Sequence, residues 1–306
     1  MSDISDKMSD GHMKDYRITV RFPPELRRRL KAAARRSGTR ESDLVRGAPF
    51  WREERRGGGR LGVAAIDTGD GRRITHNSIE RFPLASTFKL PLVMAVLERV
   101  DERRERLDRP VRFTARDLLG YSPVVARYPH GGTLTVARLC AAAIEQSDNA
   151  AANLLLNTVG GPRGVTAFVR SLGDRYTRLD RSEPALNEAT PGDVRDTTTP
   201  EAMADLVARV VRTPVLSDAS KAKLYGWMRG ATTGLTRIRA GVPAGWTVGD
   251  KTGTTSTGGN DVAILWPPNG APIVLAVYFA EVRGTSEARD AAIADVARAV
   301  VRYFRR

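Results

Sequence analysis

A single cysteine among 306 residues excludes an intrachain disulfide, so no redox compartment can be read from bridges. Cys140 sits in the apolar run Leu139-Cys140-Ala141-Ala142-Ala143-Ile144 and is expected in the core. The three histidines, His12, His76 and His130, lie far apart without metal-ligand spacing, which argues against a zinc hydrolase; no metal or other cofactor is expected. No stretch approaches the run of about 20 apolar residues that a membrane span needs, so no membrane contact is expected. The opening Met1-Ser2-Asp3-Ile4-Ser5-Asp6 is polar and acidic where a secretory signal has a basic start and an apolar run, and the sequence as written reads as cytoplasmic. No internal repeat is evident either.

What is present is a hydrophobic content of 41%, enough for one large domain or two smaller ones with a buried core. The net charge of +14 is unevenly dense: residues 1–60 carry 16 Lys and Arg against 9 Asp and Glu, half the excess in a fifth of the chain. Such a segment suits nucleic acid or an anionic surface, or is simply a solvated helix face. Residues 1–13 read as a disordered leader, with Gly11-His12-Met13 in the form of a cloning scar. Residues 17–22 then alternate, Ile18, Val20 and Phe22 against Arg17, Thr19 and Arg21, which predicts a half-buried strand ended by Pro23-Pro24. Helix 25–36 follows with Leu26, Leu30, Ala33 and Ala34 on one stripe; Gly38 stops it and Thr39 can cap a second helix over 40–48.

This strand-helix-helix over 14–48 resembles the ribbon-helix-helix DNA-binding family. The resemblance implies a dimer whose paired strands would put Arg17, Thr19 and Arg21 on the bases of duplex DNA. Gly47 and Pro49 cut the second helix short, and a basic amphipathic appendage or a gene-fusion remnant fits the same residues. Residues 49–59, ending in Gly57-Gly58-Gly59, read as a linker to a domain over 60–306.

In that domain Leu61 to Asp67 and Arg72 to His76 form a strand pair turned at Gly69-Asp70-Gly71, and helices fill most of 86–230. Strand-like runs follow at Trp246 to Thr254, Val262 to Trp266 and Ile273 to Phe279. A last helix behind a Thr285 or Ser286 cap places Ile293, Val296, Ala297, Val300, Val301 and Phe304 at helical spacing, ready to pack on the sheet.

Three short strings occur in one order: Ser86-Thr87-Phe88-Lys89, Ser147-Asp148-Asn149 and Lys251-Thr252-Gly253. A triplet such as Ser-Asp-Asn arises from composition alone in only a few chains per hundred of this size, roughly. Ser86 falls at a helix N-terminus with Lys89 three residues on and on the same face, so that the ammonium and the positive helix end both favour the alkoxide. Alone, this spacing more often means a cap followed by a surface lysine. The three strings together read as a serine acyl-transfer site.

From about Arg60 to Arg306 the chain resembles the class A β-lactamases, on these strings and on the Ω-loop-like stretch Arg178 to Asn187 with Asp196-Thr197-Thr198-Thr199-Pro200. The resemblance implies an α+β fold: an antiparallel sheet flanked by helices plus an all-α subdomain, with the ribbon-helix-helix-like segment as a small appendage. It implies that Ser86 attacks a β-lactam carbonyl, with the Ser86 and Thr254 N–H groups holding the oxyanion and Ser147 passing a proton to the leaving nitrogen. Lys89 or Glu183 would be the base in acylation; Glu183, through a water oriented by Asn187, would be the base in deacylation. Asn149 would bind the substrate's side-chain amide, Tyr121 would flank the mouth, and Lys251, Thr252, Thr254 and Arg237 would hold its carboxylate. Arg181 and Asp196 would close the Ω-loop.

The expected activity is hydrolysis of penicillins and cephalosporins, hence β-lactam resistance, by a monomeric enzyme domain working in the periplasm or outside the cell. Two alternatives share the strings: a penicillin-binding D-alanyl peptidase, and a DNA-binding regulator responsive to β-lactams. The chain departs from the family pattern in Thr255, where glycine is usual, and in a turn before Asn260-Asp261 that is one residue shorter. It departs also where Pro49 to Arg56 replaces the helix that would pack on the last helix. Phe50 and Trp51 would fill that place, at a loss of several kcal/mol of burial, roughly.

Overall fold

Eight consecutive apolar residues, Ile273–Ala280, need cover on both faces, and that requirement organises the fold. In the computed structural model, which describes residues 49–305, they form the central strand of a five-stranded antiparallel sheet. Its strands in chain order are β1 (Arg60–Asp67), β2 (Arg73–His76), β7 (Thr247–Thr255), β8 (Gly258–Trp266) and β9 (Ile273–Ala280), in the spatial order β2-β1-β9-β8-β7. Two short pairs complete the strands: β3 (Phe82–Pro83) with β6 (Thr197–Thr198), and β4 (Pro110–Phe113) with β5 (Gly132–Thr135).

The period-2 alternation of side chains divides β9 between two cores. Ile273, Leu275, Val277 and Phe279 join Ile293, Val296, Val300 and Phe304 of the terminal helix Ser286–Phe304, which Thr285 caps. Val274, Ala276 and Tyr278 face the opposite way, into a core shared with the helix Pro200–Arg212 and with the helices Lys89–Asp101, Val136–Glu145 and Asn149–Val159. The α+β class, with a sheet flanked by helices and a helical subdomain, is as the sequence implied. Cys140 is buried in the helical core, where burial pushes its thiol well up from its ordinary value.

Residues 49–59 are not the expected linker. They hold a helix, Pro49–Gly57, which packs on the terminal helix and on β1, and Phe50 enters the same core at 2% exposure. Proline opens this helix, where its missing N–H costs nothing. Its anchor is Glu54, which is buried: Oε1 accepts from Leu61 N and from Asn77 Nδ2, each at 3.1 Å, and Oε2 meets His76 Nε2 at 3.0 Å. A buried carboxylate is tolerable only with such a set of partners. Gly57 is required at the helix end because a Cβ there would lie 2.2 Å from the Phe279 ring. The burial expected to be missing is therefore present, supplied by Phe50; the side chain of Trp51, and the ribbon-helix-helix reading of 14–48, lie outside the described residues.

Two smaller corrections concern the sheet. β8 begins at Gly258, so Gly258-Gly259-Asn260-Asp261 is strand, and the hairpin turn is the residue pair Ser256-Thr257. Glycine at 259 admits the Arg289 side chain, whose Nε would sit 2.5 Å from an added Cβ. The helical stretch 86–230 is interrupted by the β4/β5 pair and by the Ω-loop.

Candidate active site

The turn that carries Ser86 is built between the β3/β6 pair and a helix. Ala85 stands at φ 44, unusual for a residue with a Cβ, and a 3-10 turn Ala85–Phe88 runs into the helix Lys89–Asp101. Ser86 is thus in a first helical turn, where its N–H has no intrahelical partner. Lys89, one turn on, is fully buried. Its Nζ donates to Ser86 Oγ at 2.8 Å, to Ser147 O at 2.9 Å and to Asn149 Oδ1 at 2.5 Å, and pairs with Glu183 Oε1 at 3.0 Å. Burial lowers the Lys89 pKa, against the opposing pull of Glu183.

Ser147 reaches this cluster from the loop before the helix Asn149–Val159. Asp148, wholly buried, caps that helix through Ala151 N at 2.8 Å and also accepts from Val124 N and Val125 N, which fixes Ser147 at φ 57. From the other side Lys251 on β7 donates its Nζ to Ser147 Oγ at 3.0 Å. Burial, with Lys89 nearby, drops the Lys251 pKa well below its ordinary value. β7 can approach the nucleophile turn this closely because residue 253 is glycine: a Cβ there would stand 3.0 Å from Leu84 O.

The Ω-loop supplies the third side. Arg181 Nε bonds Asp196 Oδ2 at 2.6 Å, and Asp196 Oδ1 accepts from the Asp180 and Arg181 N–H groups, so the loop closes at its neck as implied. Within it Glu183 is held by Asn153, which accepts from Glu183 N at 3.0 Å and donates to Glu183 O at 2.9 Å. The carboxylate then touches Lys89, lies 3.5 Å from Ser86 Oγ, and accepts from Asn187 Nδ2 at 2.5 Å.

Beyond Lys251 a polar end completes the site. Thr252 Oγ1 donates to Thr233 Oγ1 at 2.8 Å. Arg237, 5% exposed, bonds through all three nitrogens: Nη2 to Thr254 Oγ1, Nη1 to Gly253 O and Asn260 O, and Nε to Asp290 Oδ1, all at 2.9 Å. Tyr121 stands at the rim, 54% exposed, its carbonyl accepting from Asn149 N at 3.0 Å.

Behind this end lie two buried carboxyls on neighbouring strands. Burial raises Asp250 to about 6, Arg239 at 2.5 Å opposing it, and raises Asp261 well above its ordinary value, the nearby Asp250 adding to the effect. Between the unfolded and folded pKa values the folded state holds more protons, so stability falls as pH rises through that window. Asp261→Asn keeps an acceptor for Ile238 N–H and cannot ionise. It is expected to raise Tm by roughly 2 to 8 °C at pH 9 and to change it little near pH 3, below the ordinary carboxylate pKa of about 3.9. Thermal melts at the two pH values check this; equal shifts would refute it.

Of the site residues read from sequence, Ser86, Lys89, Ser147, Asn149, Glu183, Asn187 and Lys251 form one bonded cluster, and Thr252, Thr254 and Arg237 adjoin it through β7. Sequence reasoning missed Asn153, Thr233 and Asp290. Asn153 was findable, four residues after Asn149 on one helix face; Asp290 was not, since only the packing of the terminal helix brings it to Arg237.

The profile of the β-lactamase enzyme family matches residues 51–304. The chain belongs to the class A β-lactamases. Among its relatives, the carbapenem-hydrolyzing beta-lactamase KPC of Klebsiella oxytoca is 46% identical over 264 residues, covering 86% of this chain and 89% of the relative. The beta-lactamase CTX-M-97 of Escherichia coli is 45% identical over 252 residues, 82% of this chain and 86% of the relative. Among solved structures, an ancestral class A β-lactamase (GNCA) superposes with a TM-score of 0.81 at 54% identity, covering 83% of this chain and 98% of that one. The β-lactamase match thus begins inside the helix Pro49–Gly57, whose packing on the terminal helix joins it to the enzyme domain.

Proposed function

We propose that this β-lactamase opens the lactam ring of penicillins and cephalosporins in two steps on Ser86, and that Glu183 serves the second. The observation that carries the reading is the buried carboxylate of Glu183, bonded to Asn187 and Lys89 and facing Ser86. In the first step Ser86 Oγ attacks the lactam carbonyl. The oxyanion is held by the N–H groups of Ser86 and Thr254, each worth about 3 kcal/mol. Ser147 Oγ accepts from Lys251, which leaves its own proton to be given to the departing nitrogen. Lys89, its amine made easier to neutralise by burial, and Glu183 both lie within reach of the Ser86 proton.

In the second step Glu183 draws a proton from water, which attacks the ester carbonyl and releases Ser86. Asn187 Oδ1 is buried without a hydrogen-bond partner among the described residues, an acceptor suited to that water's other proton. Thr252, Thr254 and Lys251 would take the substrate carboxylate, with Arg237 holding the Thr254 hydroxyl oxygen so that its hydrogen points outward. Asn149 and the Tyr121 rim would meet the acyl side chain.

Turnover of a chromogenic cephalosporin, followed by intact-mass spectrometry on the same sample, tests the reading. A transient adduct of one substrate mass per chain is expected. A persistent adduct would favour the penicillin-binding peptidase instead, against which Glu183 argues. For residues 14–48, the alternating sequence at 17–22 and the charge of the first 60 residues support pairing into a DNA-binding dimer; a monomer in ultracentrifugation ends that reading. Work in the periplasm or outside the cell rests on family likeness, and cell fractionation tests it.

A further inference from the structure

Asn260 has no part in the chemistry above, yet it touches both halves of the site. It lies on β8 at 4% exposure, and its amide crosses to the nucleophile turn, donating to Pro83 O at 2.8 Å and to Leu84 O at 3.2 Å. Its backbone carbonyl accepts from Arg237 Nη1 at 2.9 Å. The next residue, Asp261, points to the opposite side of the strand and accepts from Ile238 N–H.

The carbonyl that Asn260 grips is the most heavily bonded in the turn. Leu84 O also accepts from Thr87 N at 3.1 Å and from Thr87 Oγ1 at 2.6 Å, and that hydroxyl meets Tyr278 OH at 3.1 Å. Leu84 N in turn donates to Asp196 O at 2.8 Å. Immediately after this anchored residue comes Ala85 in its left-handed conformation, and then Ser86. A non-glycine residue keeps such a conformation only where its surroundings over-determine it. Among the described residues, Asn260 is the one side chain of β8 hydrogen-bonded to this turn.

We propose that Asn260 is a positioning residue: by gripping the Pro83 and Leu84 carbonyls it sets the aim of the Ser86 N–H and Oγ, separately from the carboxylate end. The inference rests on the acyl-transfer reading of Ser86. Removing the amide takes a donor from Pro83 O and from Leu84 O, which keeps its two from Thr87, and lets the turn relax; a displacement of about 1 Å at a reacting atom costs up to roughly 100-fold in rate. The bond to Arg237 uses only backbone and survives substitution. Asn260 should therefore govern kcat, where Arg237 governs KM.

Two variants test this. Asn260→Asp keeps the shape and removes both donors; Asn260→Ala removes the amide without adding a carboxylate. Each is expected to lower kcat for a chromogenic cephalosporin about 10- to 100-fold while KM moves less than about threefold. Phenylboronic acid, which forms a tetrahedral adduct on a serine hydroxyl and carries no carboxylate, should bind about tenfold more weakly or worse. Arg237→Ala should instead raise KM and leave phenylboronic acid binding unchanged. Circular dichroism melts accompany the kinetics, and if the Asp variant does not fold the Ala variant reads the same split. A lower Tm with wild-type kcat and wild-type boronate affinity would overturn the proposal, as would a rise in KM at constant kcat. Failure of the underlying reading shows separately, as hydrolysis that survives Ser86→Ala.

Discussion

Ser86→Ala should lower kcat for a chromogenic cephalosporin roughly 10⁴- to 10⁶-fold and abolish the acyl adduct, with little change in Tm. The size of the effect follows from covalent catalysis. Without the hydroxyl, no ester can form, and what remains is whatever water attack the oxyanion donors and binding groups support. The small change in stability follows from the bonding of Lys89. Losing Ser86 Oγ leaves its ammonium with Ser147 O, Asn149 Oδ1 and the Glu183 carboxylate, so no buried charge is stranded. Ser86 itself is only partly buried, and alanine fits a first helical turn. Intact-mass spectrometry and a thermal melt on the purified variant decide the matter; turnover at the wild-type rate would remove Ser86 from the mechanism.

The site was legible in sequence to the extent that its chemistry is local. Ser86 and Lys89 lie one helical turn apart, Ser147 to Asn149 form a single helix start, and Lys251 to Thr254 a single strand, so each string carries its own geometry. The unbroken apolar run of β9 and the spacing of Ile293 to Phe304 likewise exposed the sheet and its terminal helix. Failures came where packing overrode local appearance. Pro49-Phe50-Trp51-Arg52-Glu53-Glu54-Arg55-Arg56 before three glycines looks like a polar linker, but Phe50 and the bonds of Glu54 to Leu61, Asn77 and His76 make it a helix. Gly258-Gly259-Asn260-Asp261 has the composition of a turn, yet every one of those residues is buried in β8, where the glycines make room for neighbours and the two polar side chains bond to opposite sides of the strand. Long-range polar contacts such as Arg237 with Asp290 leave no periodic trace in the chain.

Glu183→Gln should divide the two steps of the reaction. The substitution keeps the shape of the side chain and its backbone clamp by Asn153, but removes the base that the second step needs. Loss of a positioned general base costs about 10²- to 10⁴-fold, and here the loss falls on ester hydrolysis. The expected record is a burst of one chromophore per chain followed by turnover slowed by that factor, with the acyl adduct persisting in the mass spectrum. The variant also breaks the buried pair with Lys89, but Ser86 Oγ, Ser147 O and Asn149 Oδ1 still receive its hydrogens. Burial then favours the neutral amine more strongly than before, since the Coulombic pull that opposed desolvation is gone. If Lys89 is the base in acylation, the burst stays fast; if Glu183 is, the burst slows along with the steady state. A variant that turns over at the wild-type rate without accumulating adduct would exclude Glu183 from both steps and return the site to the chemistry that hydrolases share with slow-releasing peptidases.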